Sequence, residues 1–130
     1  MAEGIFKKLI GRKIFVQSAG IFNTLEIDGF SIKVCDEINV KLSKHRVRSI
    51  REMEKEGGFT GSFDLIIPLT KESSEEVHKF SAYSSVMIED WDVGQPKNYE
   101  NDINSTLMSY RKTRDIIFDK INKRFFEFFL

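Results

Sequence analysis

The sequence predicts an α+β domain: an antiparallel sheet of five to seven strands running as a meander, a short N-terminal helix, and one long C-terminal amphipathic helix. Three observations carry that expectation. The segment TLEIDGFSIKV, residues 24–34, sets an Asp-Gly pair between two runs that alternate apolar and polar residues. The segment INVKL, residues 38–42, resumes the alternation. Beyond residue 98, apolar residues return every third or fourth position to the end of the chain, the period of a helix with one buried face.

Each element has its own justification. Ile5, Phe6, Leu9 and Ile10 form a short amphipathic turn that Gly11 can close, and KIFVQS at residues 13–18 is rich in strand formers. Asp28 and Gly29 both tolerate the positive φ of a type I′ turn, which would place Ile27 opposite Phe30 and Leu25 opposite Ile32. Asp36 and Glu37 then turn the chain into a third strand, Ile38 to Leu42. RVRSIR suits a strand, while Val47, Ile50 and Met53 suit a helical face equally well. FTGSFDLIIPL puts Phe59, Phe63, Leu65 and Ile67 on one side until Pro68 ends ladder pairing. Ser73 and Glu76 have the spacing of a capping box, but a strand from His78 to Ile88 is the preferred reading of that stretch. Asn98 is the expected cap of the last helix, whose apolar stripe is Ile103, Leu107, Tyr110, Ile117, Ile121, Phe125 and Phe128, interrupted by Arg114.

At 130 residues the chain fits one domain, spanning 1–130, with enough length for a core of its own. A single cysteine, Cys35, cannot form an internal bridge, and the first apolar stretch is too short for a secretory leader, so a cytoplasmic location is expected. No window approaches the roughly twenty apolar residues of a spanning helix. Twenty basic residues against twenty acidic ones give no net charge, which argues against nucleic acid as a partner.

Charge is nevertheless unevenly placed. Residues 41–51 hold five Lys or Arg, one His and no acid, so Lys41, Lys44, His45, Arg46, Arg48 and Arg51 form a candidate anion-binding strip. The segment from Glu72 to Asp92 holds six acids against one lysine, and Glu89, Asp90 and Asp92 around Trp91 form a candidate acidic surface for a partner. Two histidines and one cysteine without paired spacing give no transition-metal site, and no metal or other cofactor is expected. The glycines do not form a phosphate loop, and no nucleophile-elbow pattern is present.

Four of the twelve phenylalanines fall in the last six positions. A helix of about thirty residues would be a rod of about 45 Å, longer than a globule of this size is wide, so its end should overhang. Phe118, Ile121, Phe125, Phe126, Phe128, Phe129 and Leu130 are therefore the candidate interface, with a homodimer through the C-terminal helix as the expected assembly.

Counted generously, seven strands precede that helix, an order that resembles pleckstrin-homology domains; the resemblance implies a barrel capped by the C-terminal helix. In the absence of catalytic motifs the expected role is a non-enzymatic protein-binding module, of the kind found among inhibitors and immunity proteins of bacterial or phage conflict systems, with another protein as partner. The alternative is an anionic-ligand domain that holds phosphate, lipid head group or nucleic acid on the 41–51 strip.

Overall fold

The structure, a computed structural model, describes residues 1–21, 27–42, 47–55, 63–80 and 86–129. These fall into two compact units, the first built from the segments 1–18, 26–46 and 95–130, the second from 19–25 and 47–94.

The first unit is helical. Helix α1, Ala2–Ile10, carries Glu3 in its first turn and Lys7 and Lys8 in its last, the signs its dipole favours. Ile5, Phe6 and Ile10 line its buried face. Glu3 is buried too, and it is satisfied there: it accepts from Lys7 Nζ and from Ser18 Oγ, each at 3.0 Å. Gly11, at φ 70°, closes the helix in a backbone conformation that L side chains rarely adopt. Gly4 has a different reason to be glycine. A Cβ there would lie 2.5 Å from Leu42 Cδ2 and 2.9 Å from Val40 Cγ1, both buried, so α1 lies on the 40–42 segment at a distance only a hydrogen atom permits.

Helix α2, Gly29–Asp36, occupies the sequence expected to be a hairpin. Asp28 is not at a turn apex but is the helix N-cap: its Oδ1 accepts from Phe30 N at 3.0 Å, and its Oδ2 accepts from the Tyr110 hydroxyl. The Asp-Gly pair is as good a helix start as a turn, because the same short carboxylate that tolerates positive φ also satisfies a free helix N–H. Val34 and Cys35, adjacent in sequence, are both fully buried, which one face of a strand would not allow. Leu25 and the rest of the proposed first hairpin strand lie outside the described residues. Asn39, at φ 61°, and the bond from Val40 N to Cys35 O (2.9 Å) turn the chain after α2 and bring Val40 and Leu42 into the core.

Helix α5, Ile103–Arg124, has 22 residues, about 33 Å at 1.5 Å each, rather than the rod of about 45 Å expected. Its N-cap is Asp102, four residues later than Asn98, with Oδ1 accepting from Ser105 N at 2.9 Å. Of the expected stripe, Leu107, Tyr110, Ile117 and Ile121 are buried and Phe125 follows at the C-cap, but Ile103 at its start is 67% exposed and Phe128 is half-buried. A 3₁₀ turn, Phe126–Phe129, ends the description. The Phe125 ring meets Phe6 of α1 edge-on at 4.8 Å and Phe128 at 6.1 Å.

The second unit carries the strands. Strand β1, Leu65–Ile66, runs parallel to β2, Met87–Ile88, with Leu65 opposite Met87 and Ile66 opposite Ile88. Helix α4, Lys71–Phe80, lies between them in sequence, a β-α-β connection of the kind parallel strands require. A further parallel bridge joins Gly20 to Ser49, immediately before helix α3, Ile50–Lys55. Ser49 caps α3: its Oγ accepts from Glu52 N at 3.1 Å and donates to Glu52 Oε1 at 3.3 Å. Ile50, Met53 and Val77 form the core, with Phe63, Ile66 and Ile88 packed around them.

The expected antiparallel meander, and with it the barrel, is therefore incorrect: among the described residues there are two short parallel strands and the rest of the regular structure is helical. KIFVQS forms no strand; beyond it Ile50 and Met53 lie on helix α3, while Ser49 just before them keeps a single bridge to Gly20; and of the strand expected from His78 to Ile88, residues 78–80 end helix α4, residues 81–85 lie outside the described residues, and Met87 and Ile88 are strand β2. Short apolar alternation is compatible with either period, and the caps Asp28, Ser49 and Thr70 favour the helix in α2, α3 and α4.

Candidate functional site

In parallel α/β structures, ligands bind outside the carboxyl ends of the strands, where loops rather than side-chain layers meet the solvent. Here that edge is made by the loop from β1 to α4 and the loop that leaves β2. The ladder continues past the strands: Glu89 N donates to Ile66 O at 3.0 Å, Trp91 N to Pro68 O at 3.1 Å, and Val93 N and Gly94 N both reach Leu69 O, at 2.9 and 3.0 Å. Positive φ at Asp92 (41°) and Gly94 (82°) lets the second loop fold onto the first. Trp91 is buried, and its indole N–H donates to Glu89 Oε2 at 2.7 Å. Asp90 and Asp92, on either side, are exposed.

The facing loop ends in a closed cap. Thr70 Oγ1 accepts from Ser73 N at 3.1 Å, Ser73 Oγ accepts from Thr70 N at 3.0 Å, and the two hydroxyls lie 2.9 Å apart. Ser73 is thus the partner of a cap one turn earlier than the Ser73–Glu76 box expected from spacing. The acidic trio is brought to one edge, with Glu89 committed to the indole and Asp90 and Asp92 available to solvent. Among the described residues no group of three or more His, Cys, Asp or Glu is placed to hold a metal ion.

The first unit holds a second polar cluster. Glu37 accepts from Arg111 Nε at 2.9 Å and Nη2 at 2.7 Å, and from Arg114 Nη1 at 2.8 Å. Arg111's hydrogen bonds first, then those of Arg114, bring its carboxyl down to about 2. Arg114, the residue that interrupted the apolar stripe, is buried because its Nη1 also donates to Val34 O at 2.8 Å near the end of α2, while its Nε meets Asp115 at 2.9 Å. Burial alone would favour loss of its proton; the two carboxylates outweigh that and hold it firmly charged. Cys35 lies in the same region, fully buried, and burial pushes its thiol up despite the charge of Arg114. A nucleophilic cysteine needs the opposite, a depressed pKa and access, so Cys35 is a packing residue. A groove of about 520 Å³ along α5, lined by Met108, Arg111, Lys112, Asp115, Ile116 and Asp119, brings no nucleophile.

The basic strip is divided. Lys41 is exposed in the first unit and paired with Asp36; Arg48, half-buried, and Arg51, exposed on α3, belong to the second; Lys44, His45 and Arg46 lie outside the described residues. Of the candidate interface, Ile121 and Phe125 are buried within their own unit, Phe118 and Phe128 are half-buried, Phe126 and Phe129 are exposed, and Leu130 lies outside the described residues. The residues that sequence reasoning missed are Thr70 and Ser73, whose Thr-x-x-Ser spacing is a weak signal, and Glu37 with its two arginines, which no local spacing could pair.

Residues 1–127 match the family model of low molecular weight phosphotyrosine protein phosphatase. No curated protein and no solved structure matches the chain. The family is one of enzymes, and this overturns the expected non-enzymatic role, the inhibitor or immunity protein and the anionic-ligand domain on residues 41–51 alike. Motif reading failed because it asked for local catalytic signatures, whereas the match extends along nearly the whole sequence, and by that extent the chain belongs to the low molecular weight phosphotyrosine protein phosphatase family.

Proposed function

We propose that this protein is a phosphatase of phosphate monoesters, with phosphotyrosine in proteins as its substrate class, and that the carboxyl edge of β1 and β2 faces the substrate. The family match over residues 1–127 carries the reading. The edge geometry supports it in one respect. Hydrolysis of phosphotyrosine moves the phosphoryl group from the phenolic oxygen to water, giving inorganic phosphate, and expels a phenol whose pKa is about 10; a carboxylic acid beside the leaving oxygen eases that cleavage by giving it a proton. Asp90 and Asp92 are exposed on the loop leaving β2, where such a donor would stand. Cys35 takes no part: its thiol is buried and raised. The same lone cysteine suits a reducing cytoplasm, which we take as the compartment; among the described residues no helix is long and apolar enough to cross a membrane.

Phosphate release from a phosphotyrosine peptide tests the reading. Turnover is expected, with Cys35→Ala retaining it. Of Asp90→Asn and Asp92→Asn, the one that removes the donor should lower kcat on phenyl phosphate about a hundredfold and much less on nitrophenyl phosphate, whose leaving group needs little help. No phosphate release from either ester by the folded protein would overturn the proposal.

A further inference from the structure

Among the described residues, the C-terminal turn leaves two of its rings exposed. In a 3₁₀ helix, residues three apart eclipse one another, so Phe126 and Phe129 share a side, and they are 62% and 39% exposed. Phe125 instead packs on Phe6, and Phe128 packs on Phe125. The segment just past α1 is tied to this turn, since Lys13 Nζ donates to Phe128 O at 2.5 Å. That contact brings Arg12 and Lys13 to the turn that follows Lys123 and Arg124 at the end of α5, and all four bases are exposed. Against them are Glu127 and Asp119, and Asp119 is held by Lys123 at 2.8 Å.

From this juxtaposition we infer that the Phe126–Phe129 turn, with its rim of Arg12, Lys13, Lys123 and Arg124, is a docking surface for an anionic lipid bilayer. Two aromatic rings on a rigid turn can enter the acyl boundary while the surrounding bases remain at head-group level, the arrangement that holds interfacial segments on membranes. The charge decides between occupants. A second copy of the chain meeting this face across a twofold axis would set the basic rim against itself, which opposes association. An anionic surface meets the same rim with the opposite sign. The inference stands apart from the proposed phosphatase activity and shares no residue with it.

Co-sedimentation with vesicles is the test, comparing phosphatidylcholine alone with phosphatidylcholine containing phosphatidylserine. The protein should partition onto the phosphatidylserine vesicles only, and raising salt should release it. Phe126→Ser should weaken partition about tenfold, through lost ring burial, and Arg12→Gln about fivefold, through one lost charge. Both side chains are exposed, so the variants should keep the circular dichroism of the parent. Failure to bind, equal binding to both vesicle types, or binding that survives Phe126→Ser would overturn the inference. So would light scattering that shows a dimer dispersed by Phe126→Ser, which would give the rings to a second copy.

Discussion

The two units treat their acidic residues in opposite ways. In the first, three carboxylates are engaged by partners: Glu3, buried, binds Lys7 and Ser18, Asp28 caps α2 and receives the Tyr110 hydroxyl, and Glu37 is gripped by two arginines. In the second, Glu89 braces Trp91 while Asp90 and Asp92 stand exposed at the end of a parallel strand pair. Acids of the first kind have spent their hydrogen-bonding capacity on structure, whereas Asp90 and Asp92 remain open to solvent. A cluster of charged residues is thus poor evidence of a site until its partners are known.

Substitutions can break or sharpen that contrast. The largest effect on stability is expected from Ile121→Ala in the first unit, where a side chain that is 1% exposed leaves a cavity; chemical denaturation should register a loss of about 3 kcal/mol. Trp91→Phe in the second unit should cost about 1.5 kcal/mol, by removing a hydrogen bond to a carboxylate while keeping an aromatic ring. Thr70→Ala, which opens the cap of α4, should cost about 1 kcal/mol in the same measurement. Asp90→Asn and Asp92→Asn should barely move stability, and a large loss from either would show that the edge is braced internally like the first unit.

The pH dependence separates the units further. Glu37 titrates near 4.5 when unfolded and at about 2 in the fold, so its contribution is complete above 4.5 and disappears as pH falls through 2. In Glu37→Gln, the acid limb of a stability profile should flatten over that window. At the alkaline end Tyr110 has the opposite sign. Burial, then its bond to Asp28, raises it from 10.0 to about 12, so stability should decline as pH rises through that interval and Tyr110→Phe should abolish the decline.

Legibility followed the range of the interactions. Helix α5 was readable because its apolar stripe extends over several turns, although Asp102 rather than Asn98 starts it and Phe125 ends it early. Residues 27–34 alternate well enough for a strand, and it takes the Asp28 cap together with the packing of Val34 on Leu107 and Tyr110 to select helix α2. The carboxylates at 89, 90 and 92 could be singled out from composition, but their position at the end of β2 required the parallel pairing with β1. The arginines on Glu37 come from 74 and 77 residues away, beyond any local pattern.

One missing methyl group sets a spacing. Because position 4 carries no Cβ, α1 can rest directly on Leu42 and Val40. A methyl group there would meet both side chains closer than 3 Å, so Leu42, Val40 or the helix itself would have to shift. The helix held at this spacing also carries Phe6, the ring on which Phe125 rests. A hydrogen atom at position 4 thus sets the clearance of the layer that receives an aromatic ring from more than a hundred positions later.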